Sequence, residues 1–490
     1  MRSIRIITYH GDLISLVKEN LLEKVVWKDA YINLNGLYAK MTGRKNYNDV
    51  AVLKNGMLTT GRYEEIDITQ LANAVGSMDE YLKKSGIEHL YVQAPYKVDV
   101  EGSLLYDGTV HCGNENASKL LEALNTQHVP CYDLRPYFSQ TPELVDKYFY
   151  KTDHHWNNDG AFEAFGLLLK QINQRFPNAN IDMTVADKKN WNVEVFEDCF
   201  LGSHGKRVGI CYGGMDDFSV YTPKIETNMT VCIENGKIYT GTFDEAIVTH
   251  KQYITNTDYF NQTAYWSYLG RDYSVVRMNN ANAKSDLKIV FIKDSYTTPV
   301  SCFMTTAFKE VTIIDPRYVS YYSVAEYIEA IQPDMVITML NPSVFTNSKY
   351  YNLGVKDAEK HMGQIEESVV REGDTFRVTA GSDEENTNKS VIQKISSDVR
   401  YRVSFDDVKF LKGSGEAITV GVYNATTKKL LTTDVLDIDL CRQKGEFVWN
   451  VLSPKIKDGD DVRIIIYAGV RGETNGNDVE LINLQVEKLT

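Results

Sequence analysis

The sequence lacks the patterns that mark several large classes of protein. Its seven cysteines include no CxxC pair, so cysteine ligation of a metal is not expected. Their odd number leaves at least one thiol unpaired in a monomer. No Gly-rich phosphate loop and no dinucleotide fingerprint occur, so we expect no organic cofactor.

Two further absences concern membranes and polyanions. No run of about 18 apolar residues occurs, so no segment is predicted to span a membrane. The chain begins MRSIRIITYHGDLISLV, which lacks the long apolar core and the small-residue cleavage site of a signal peptide. The net charge of −13 argues against nucleic acid or an anionic membrane surface as a partner.

The chain is 490 residues long, which exceeds a single typical core, and we expect two or three domains. Residues 1–60 combine a helical pattern at 12–24 with a predicted hairpin. The hairpin turns at Asn55-Gly56, a strong signal for a tight turn. This N-terminal segment carries no chemistry, and we expect it to pack on the domain that follows.

Two different patterns fill the rest of the chain. Residues 61–360 alternate helices and strands, which favours an α/β domain with a parallel sheet. An insertion at about 176–278 breaks this alternation with short polar and aromatic strands. Residues 365–490 show short alternating runs separated by polar turns, which are typical of an all-β sandwich or jelly roll.

The stretch with the most candidate catalytic side chains is Thr152-Asp153-His154-His155-Trp156, which holds a carboxylate, two imidazoles and an indole. A carboxylate beside an imidazole supplies the base and orienting groups of a nucleophilic site. In an extended segment alternate residues share a face, so Asp153 and His155 are predicted to face the same way. His154 is then predicted to face away as a structural histidine, and Trp156 to lie in the core.

The best candidate nucleophile lies far downstream, at Ser295. Residues 287–292 read as a buried strand, and a helix is predicted from about Thr298. Pro299 suits the first turn of that helix, where its missing N–H costs nothing. Ser295 is thereby placed on a tight strand-to-helix turn, where backbone N–H groups can hold an oxyanion.

Polar residues follow the ends of neighbouring predicted strands. If the strands are parallel, Ser295, Arg317 and Asn341 lie on one edge of the sheet, where α/β proteins bind ligands. Asn341 and Arg317 are candidates for oxyanion or substrate contacts, or they cap strand ends. Asp294 is interpreted as a helix cap rather than a catalyst.

Two other basic positions have open alternatives. Lys97 follows a predicted strand at 87–94 and either touches substrate or is a solvated loop lysine, which we favour. Residues 202–207 (GSHGKR) form a predicted flexible basic loop, which is either a lid or sugar contact or, as we favour, an ordinary surface loop.

A metal site is the alternative to a triad. Asp153 and His155 both belong to residue types that bind metals, and a DxH pair is a common beginning of a site. No further cluster of His, Asp or Glu completes such a site convincingly in the sequence. We therefore favour a Ser-His-Asp triad without a metal, with a purely structural role as the third possibility.

The TDHHW motif, followed by a Gly-Ala helix and a late strand–KDSY–helix, resembles the DHHW family. That family is related to the AlgX- and AlgJ-type polysaccharide O-acetyltransferases, which have a permuted SGNH-hydrolase-like domain. The resemblance covers residues 50–353. It implies that Asp153 and His155 match the Asp-x-His-Trp motif and that Ser295 matches the nucleophile.

The resemblance also implies a function. It points to transfer of an acetyl group to a polysaccharide hydroxyl, with a membrane O-acyltransferase as the upstream donor. It implies an extracytoplasmic location, with the signal or anchor removed from this sequence. A carbohydrate O-acetylesterase would use the same triad, and a polysaccharide-binding protein with an inactive α/β domain is the alternative of another class. Residues 365–490 resemble the carbohydrate-binding jelly rolls of some AlgX-like proteins.

Overall fold

The structure is a computed structural model, and it describes most of the chain from Lys28 onward. The described residues are 28–233, 238–319, 323–351, 353–354, 364–367, 370–372, 375–379, 387–412, 417–427, 429–438, 441–442, 445, 447–453, 456–468 and 478–489. The helix predicted at 12–24 lies outside these residues.

The N-terminal elements pack beside the motif region. They are α1 (Lys28–Met41) and a three-stranded meander of β1 (Asn46–Tyr47), β2 (Val50–Val52) and β3 (Leu58–Thr60). The predicted hairpin is confirmed, since β2 and β3 pair antiparallel around a turn in which Gly56 has a φ of +83°. Leu58 N donates to Lys151 O at 2.8 Å, which ties the meander to the motif region.

An eight-stranded mixed sheet forms the centre of the α/β part. The strands in this part of the chain are β4 (Glu88–Gln93), β5 (Cys131–Asp133), β6 (Trp191–Phe200), β7 (Asp216–Pro223), β8 (Met229–Ile233), β9 (Ile238–Gly241), β10 (Val275–Asn280), β11 (Ser285–Lys293), β12 (Phe308–Ile314) and β13 (Met335–Leu340). The sheet order is β5-β4-β13-β11-β12-β10-β8-β9, and β6 and β7 form a separate ribbon.

The two halves of this sheet differ in direction. The pairs β4–β5, β4–β13, β11–β13 and β11–β12 are parallel, as predicted. The pairs β10–β12, β10–β8 and β8–β9 are antiparallel. Strands β8, β9 and β10 come mainly from the predicted insertion at 176–278, so this stretch extends the central sheet.

Helices cover both faces of the sheet, because successive residues of its buried strands point to opposite sides. Ile289 and Phe291 belong to the core beneath the helix Asn158–Arg175, whereas Val290 and Ile292 belong to the core beneath the helix Val324–Ile331. The helices after α1 are α2 (Thr69–Lys84), α3 (Gly113–Thr126), α4 (Arg135–Phe138), α5 (Pro142–Tyr148), α6 (Asn158–Arg175), α7 (Ser203–Val208), α8 (Ile210–Gly213), α9 (Phe243–Ala246), α10 (Gln252–Thr255), α11 (Thr297–Met304) and α12 (Val324–Ile331). No helix among the described residues is long and apolar enough to cross a membrane.

The C-terminal part is all-β, as predicted. Its strands are β14 (Gln364–Glu367), β15 (Val370–Glu372), β16 (Thr375–Thr379), β17 (Thr387–Lys394), β18 (Arg400–Phe405), β19 (Asp407–Lys412), β20 (Ala417–Asn424), β21 (Lys429–Asp437), β22 (Phe447–Leu452), β23 (Val462–Tyr467), β24 (Asp478–Ile482) and β25 (Gln485–Leu489). One sheet has the order β19-β24-β16-β17-β23-β20-β21, and the other has the order β22-β18-β25. Val403 and Trp449 from one sheet share a core with Val420 and Ile464 from the other.

Candidate active site

Ser295 lies on the predicted turn between a buried strand and a helix. It follows β11 and precedes α11, and its side chain is partly exposed. Strands β11, β12 and β13 are parallel, so their C-terminal ends lie at one edge of the sheet. The residues that come after these ends, Ser295, Arg317 and Asn341, therefore lie at that edge, as expected. Asp294 stabilises the turn, since its carboxylate accepts Tyr296 N at 2.9 Å and Asn341 N at 2.6 Å.

His155 lies between Ser295 and Asp153. Its Nε2 is 2.7 Å from Ser295 Oγ, and its Nδ1 is 2.5 Å from Asp153 Oδ1. Burial would raise the pKa of Asp153, but the adjacent His154 and His155 and the hydrogen bonds to the carboxylate hold that pKa well below its usual range. The carboxylate is therefore ionised and can orient the imidazole of His155.

The prediction that His154 faces away from Asp153 is wrong. Its Nδ1 is 3.6 Å from Asp153 Oδ1, and its ring centroid is 3.8 Å from that of His155. Residues 151–155 form bends and not an extended strand, so the alternation on which the prediction rested does not apply. Burial and the neighbouring His155 lower the pKa of His154 to about 3, so its imidazole is neutral at pH 7.

The expectation of an ordinary surface loop at 202–207 is also wrong. Ser203 begins α7, and its N–H donates to Asp153 Oδ2 at 2.6 Å, while its Oγ lies 2.8 Å from His154 Nδ1. A Cβ on Gly202 would lie 2.2 Å from the Cβ of Asp153, so only glycine permits this approach. The segment therefore holds the carboxylate on the side opposite His155.

Lys97 is not the solvated loop lysine that we favoured. Its side chain is buried, and Nζ donates to the carbonyl oxygens of Lys151 at 2.8 Å and Asp153 at 2.6 Å. Burial lowers the pKa of Lys97 to about 7. Lys97 thus lies behind the motif, where it contacts the backbone of Asp153.

The aromatic side chains around His155 complete the site. Trp156 is fully buried, as predicted, and its Nε1 donates to Tyr296 O at 3.0 Å. Tyr265 stacks on His155 and donates a hydrogen bond to Ser295 O at 3.0 Å. Tyr265 is not predicted from the sequence, because nothing in the pattern around it distinguishes it from the other tyrosines of the chain.

The side chains of Asn341 and Arg317 are held in structural hydrogen bonds. Asn341 Nδ2 donates to Pro95 O at 2.6 Å. Arg317 Nη2 donates to Asp315 Oδ2 at 2.6 Å and to Asp272 Oδ2 at 3.0 Å. These contacts stabilise the strand ends, and we do not propose either side chain as an oxyanion donor.

The same site also contains a possible set of metal ligands. One ligand atom from each of Asp153, His154 and His155 can be chosen so that all three lie within 4.8 Å of one another. In the present geometry, however, both ring nitrogens of His155 have other partners, namely Asp153 and Ser295. A metal held by His155 would break one of these two contacts, so the geometry favours nucleophilic chemistry.

The comparisons with known proteins agree with this architecture. Residues 54–190 match the family model of the SGNH hydrolase-like domain of the acetyltransferase AlgX. This region includes Asp153 and His155 and ends before Ser295. A search of curated proteins found no match.

Solved structures resemble the chain as well. Bacillus cereus PatB1 with a sulfonyl adduct is 20% identical with a TM-score of 0.52, and the match covers 63% of this chain and 99% of PatB1. A DHHW family protein from Eubacterium siraeum is 18% identical with a TM-score of 0.48, over 64% of this chain and 98% of that protein. The chain thus has an SGNH hydrolase-like domain, and its predicted resemblance to the AlgX-type acetyltransferases is confirmed over residues 54–190.

Proposed function

We propose that Ser295, His155 and Asp153 form a catalytic triad for acyl transfer. The observation that carries this proposal is the continuous chain of contacts from Ser295 Oγ through both ring nitrogens of His155 to Asp153. A serine hydroxyl is a weak nucleophile until a base removes its proton, and a carboxylate keeps that base in the required tautomer. Here His155 is the base and Asp153 the orienting group.

The proposed reaction proceeds through an acetyl-enzyme. Ser295 Oγ attacks the carbonyl carbon of a donor ester, and His155 passes the serine proton to the leaving alcohol. The acceptor hydroxyl then attacks the acetyl group on Ser295, and its proton moves through His155 back to Ser295 Oγ. The backbone N–H of Ser295 is our proposed oxyanion donor, since it lies on the turn that carries the nucleophile.

The acceptor that we propose is a polysaccharide hydroxyl. Support comes from the match of residues 54–190 to the AlgX acetyltransferase domain. We further propose that residues 365–490 form a domain that binds the polymer, that a membrane O-acyltransferase supplies the acetyl group, and that the protein acts outside the cytoplasm.

Acceptor assays test this function against the alternatives. The protein is incubated with an acetyl ester donor and a panel of oligosaccharides, which are then analysed by mass spectrometry. We expect added acetyl groups with the parent protein and none with Ser295→Ala. Removal of acetyl groups from acetylated glycans without any transfer would identify an esterase. Glycan binding without either reaction would identify a binding protein with an inactive domain.

A further inference from the structure

Lys97 carries a buried amino group that none of the proposed chemical steps uses. It follows β4 at the same sheet edge as Ser295, and only 2% of its surface is exposed. Its Nζ donates to two backbone carbonyls, those of Lys151 and Asp153, which flank Thr152. An ammonium group has three donors and no acceptor, so it suits a cluster of carbonyl oxygens.

Asp216 accepts hydrogen bonds from two backbone amides of the same segment. This residue begins β7, and its carboxylate accepts the backbone N–H of Lys151 and, at 2.8 Å, that of Thr152. The hydroxyl of Thr152 also donates to Asp216, at 2.5 Å, and accepts Gly202 N at 2.8 Å. The carbonyls of Lys151 and Asp153 are thus held by the Lys97 amino group, and the amides of Lys151 and Thr152 by the Asp216 carboxylate.

We propose that Lys97 and Asp216 are positioning residues that fix the backbone of residues 151–153 and thereby align Asp153 with His155 and Ser295. This inference rests on the proposed triad. Lys97 Nζ donates a hydrogen bond to the carbonyl of Asp153 itself. Loss of this hydrogen bond would therefore let the backbone of Asp153, and with it the side chain, change position. Small displacements of this kind matter, since a shift of about 1 Å can cost about 100-fold in rate.

Stability alone does not explain why Lys97 and Asp216 are charged residues. Removing a lysine side chain and a carboxylate from water costs free energy, and well-packed apolar residues often replace buried charges without loss of stability. Burial raises the pKa of Asp216 and lowers that of Lys97, as expected for two charged groups out of water. The backbone of residues 151–153, by contrast, needs donors for two of its carbonyls and an acceptor for two of its amides, and these two side chains supply them.

The test compares Lys97→Met and Asp216→Asn with the parent and with a control, Arg135→Met. Arg135 is also buried and is paired with Asp133, but it follows β5, three strands from β11 in the sheet. Hydrolysis of p-nitrophenyl acetate gives kcat and KM, and thermal unfolding gives the loss of stability. We expect Lys97→Met and Asp216→Asn to lower kcat about 100-fold with little change in KM. Arg135→Met should lose stability and keep kcat.

A second readout does not depend on activity. In protein labelled with ¹⁵N-histidine, the proton between His155 Nδ1 and Asp153 gives a low-field NMR signal, assigned by its loss in Asp153→Asn. We expect Lys97→Met to shift or abolish this signal and Arg135→Met to leave it unchanged. A folded Lys97→Met protein with the parent signal and kcat within twofold of the parent would overturn the inference. A parent protein that shows the signal but no reaction of Ser295 would instead refute the proposed function, and the signal would still test the positioning role.

Discussion

The ring of Tyr265 lies nearly parallel to the imidazole of His155, with 4.0 Å between the ring centroids and 15° between the planes. The hydroxyl of the same tyrosine donates to the backbone carbonyl of Ser295 at 3.0 Å. One buried side chain therefore contacts both the proposed base and the turn of the proposed nucleophile. It keeps water from one face of the imidazole and limits the rotation of the ring.

Substitutions of Tyr265 separate these two contacts. Tyr265→Phe keeps the stacked ring and loses only the hydrogen bond, so we expect a loss in kcat of about fivefold, equivalent to about 1 kcal/mol. Tyr265→Ala removes the ring as well and should cost about 3–5 kcal/mol of stability together with a much larger loss in kcat. Steady-state kinetics and urea unfolding measure both effects. Equal kinetic losses for the two variants would show that the stack does not matter.

The two adjacent histidines should differ sharply in their effect on catalysis. Only His155 contacts both Asp153 and Ser295, so we expect His155→Ala to lower kcat by orders of magnitude. His154→Ala, which removes a contact with Ser203, should cost far less. Asp153→Asn should lower kcat about 10⁴-fold, because an amide favours the wrong tautomer of the base. Similar losses for both histidines would argue against the assigned roles.

Two local patterns in the sequence point to the residues of the proposed triad. The Asp-x-His spacing placed Asp153 and His155 together, and the buried strand followed by a helix placed Ser295 at a turn. The prediction for His154 failed because alternation holds only in extended chain, and this segment bends. A motif thus identified the residue types, while their orientations depended on the local backbone.

The supporting contacts could not be predicted in the same way. The parts of the motif that Lys97, Ser203 and Asp216 contact lie 49 or more residues away from them in the chain. Nothing in their neighbouring sequence indicates which backbone groups the fold brings to them. The antiparallel strands β8, β9 and β10 were similarly assigned to an insertion, because short polar strands carry no signal of the sheet that they join.

Stability should depend on pH through Lys97. Its pKa is about 7 in the folded protein, below the ordinary value of 10.5, so the unfolded chain binds more protons between these values. The free energy of unfolding therefore rises with pH above about 7, by at most about 1.4 kcal/mol per pH unit. The charged groups that act on Lys97 include Asp216, Asp153 and Lys151. Urea unfolding at pH 7, 8 and 9 should show this rise in the parent relative to Lys97→Met, and parallel curves would contradict it.

Metal removal separates the triad from the metal alternative. Since His155 contacts Ser295 and Asp153 through its two nitrogens, we expect full activity after treatment with EDTA and gel filtration. Elemental analysis of the treated protein provides the control that chelation was complete. A loss of activity that Zn²⁺ restores would instead assign Asp153, His154 and His155 to a metal site.

The central claim is that Ser295 carries the acetyl group, and trapping the acyl-enzyme tests it most directly. The protein is mixed with an acetyl ester in the absence of acceptor, quenched in acid within seconds, digested and analysed by tandem mass spectrometry. We predict one added acetyl group on Ser295, absent from Ser295→Ala and lost when an oligosaccharide acceptor is added before the quench. Acetylation of an acceptor by Ser295→Ala at the parent rate would contradict the claim.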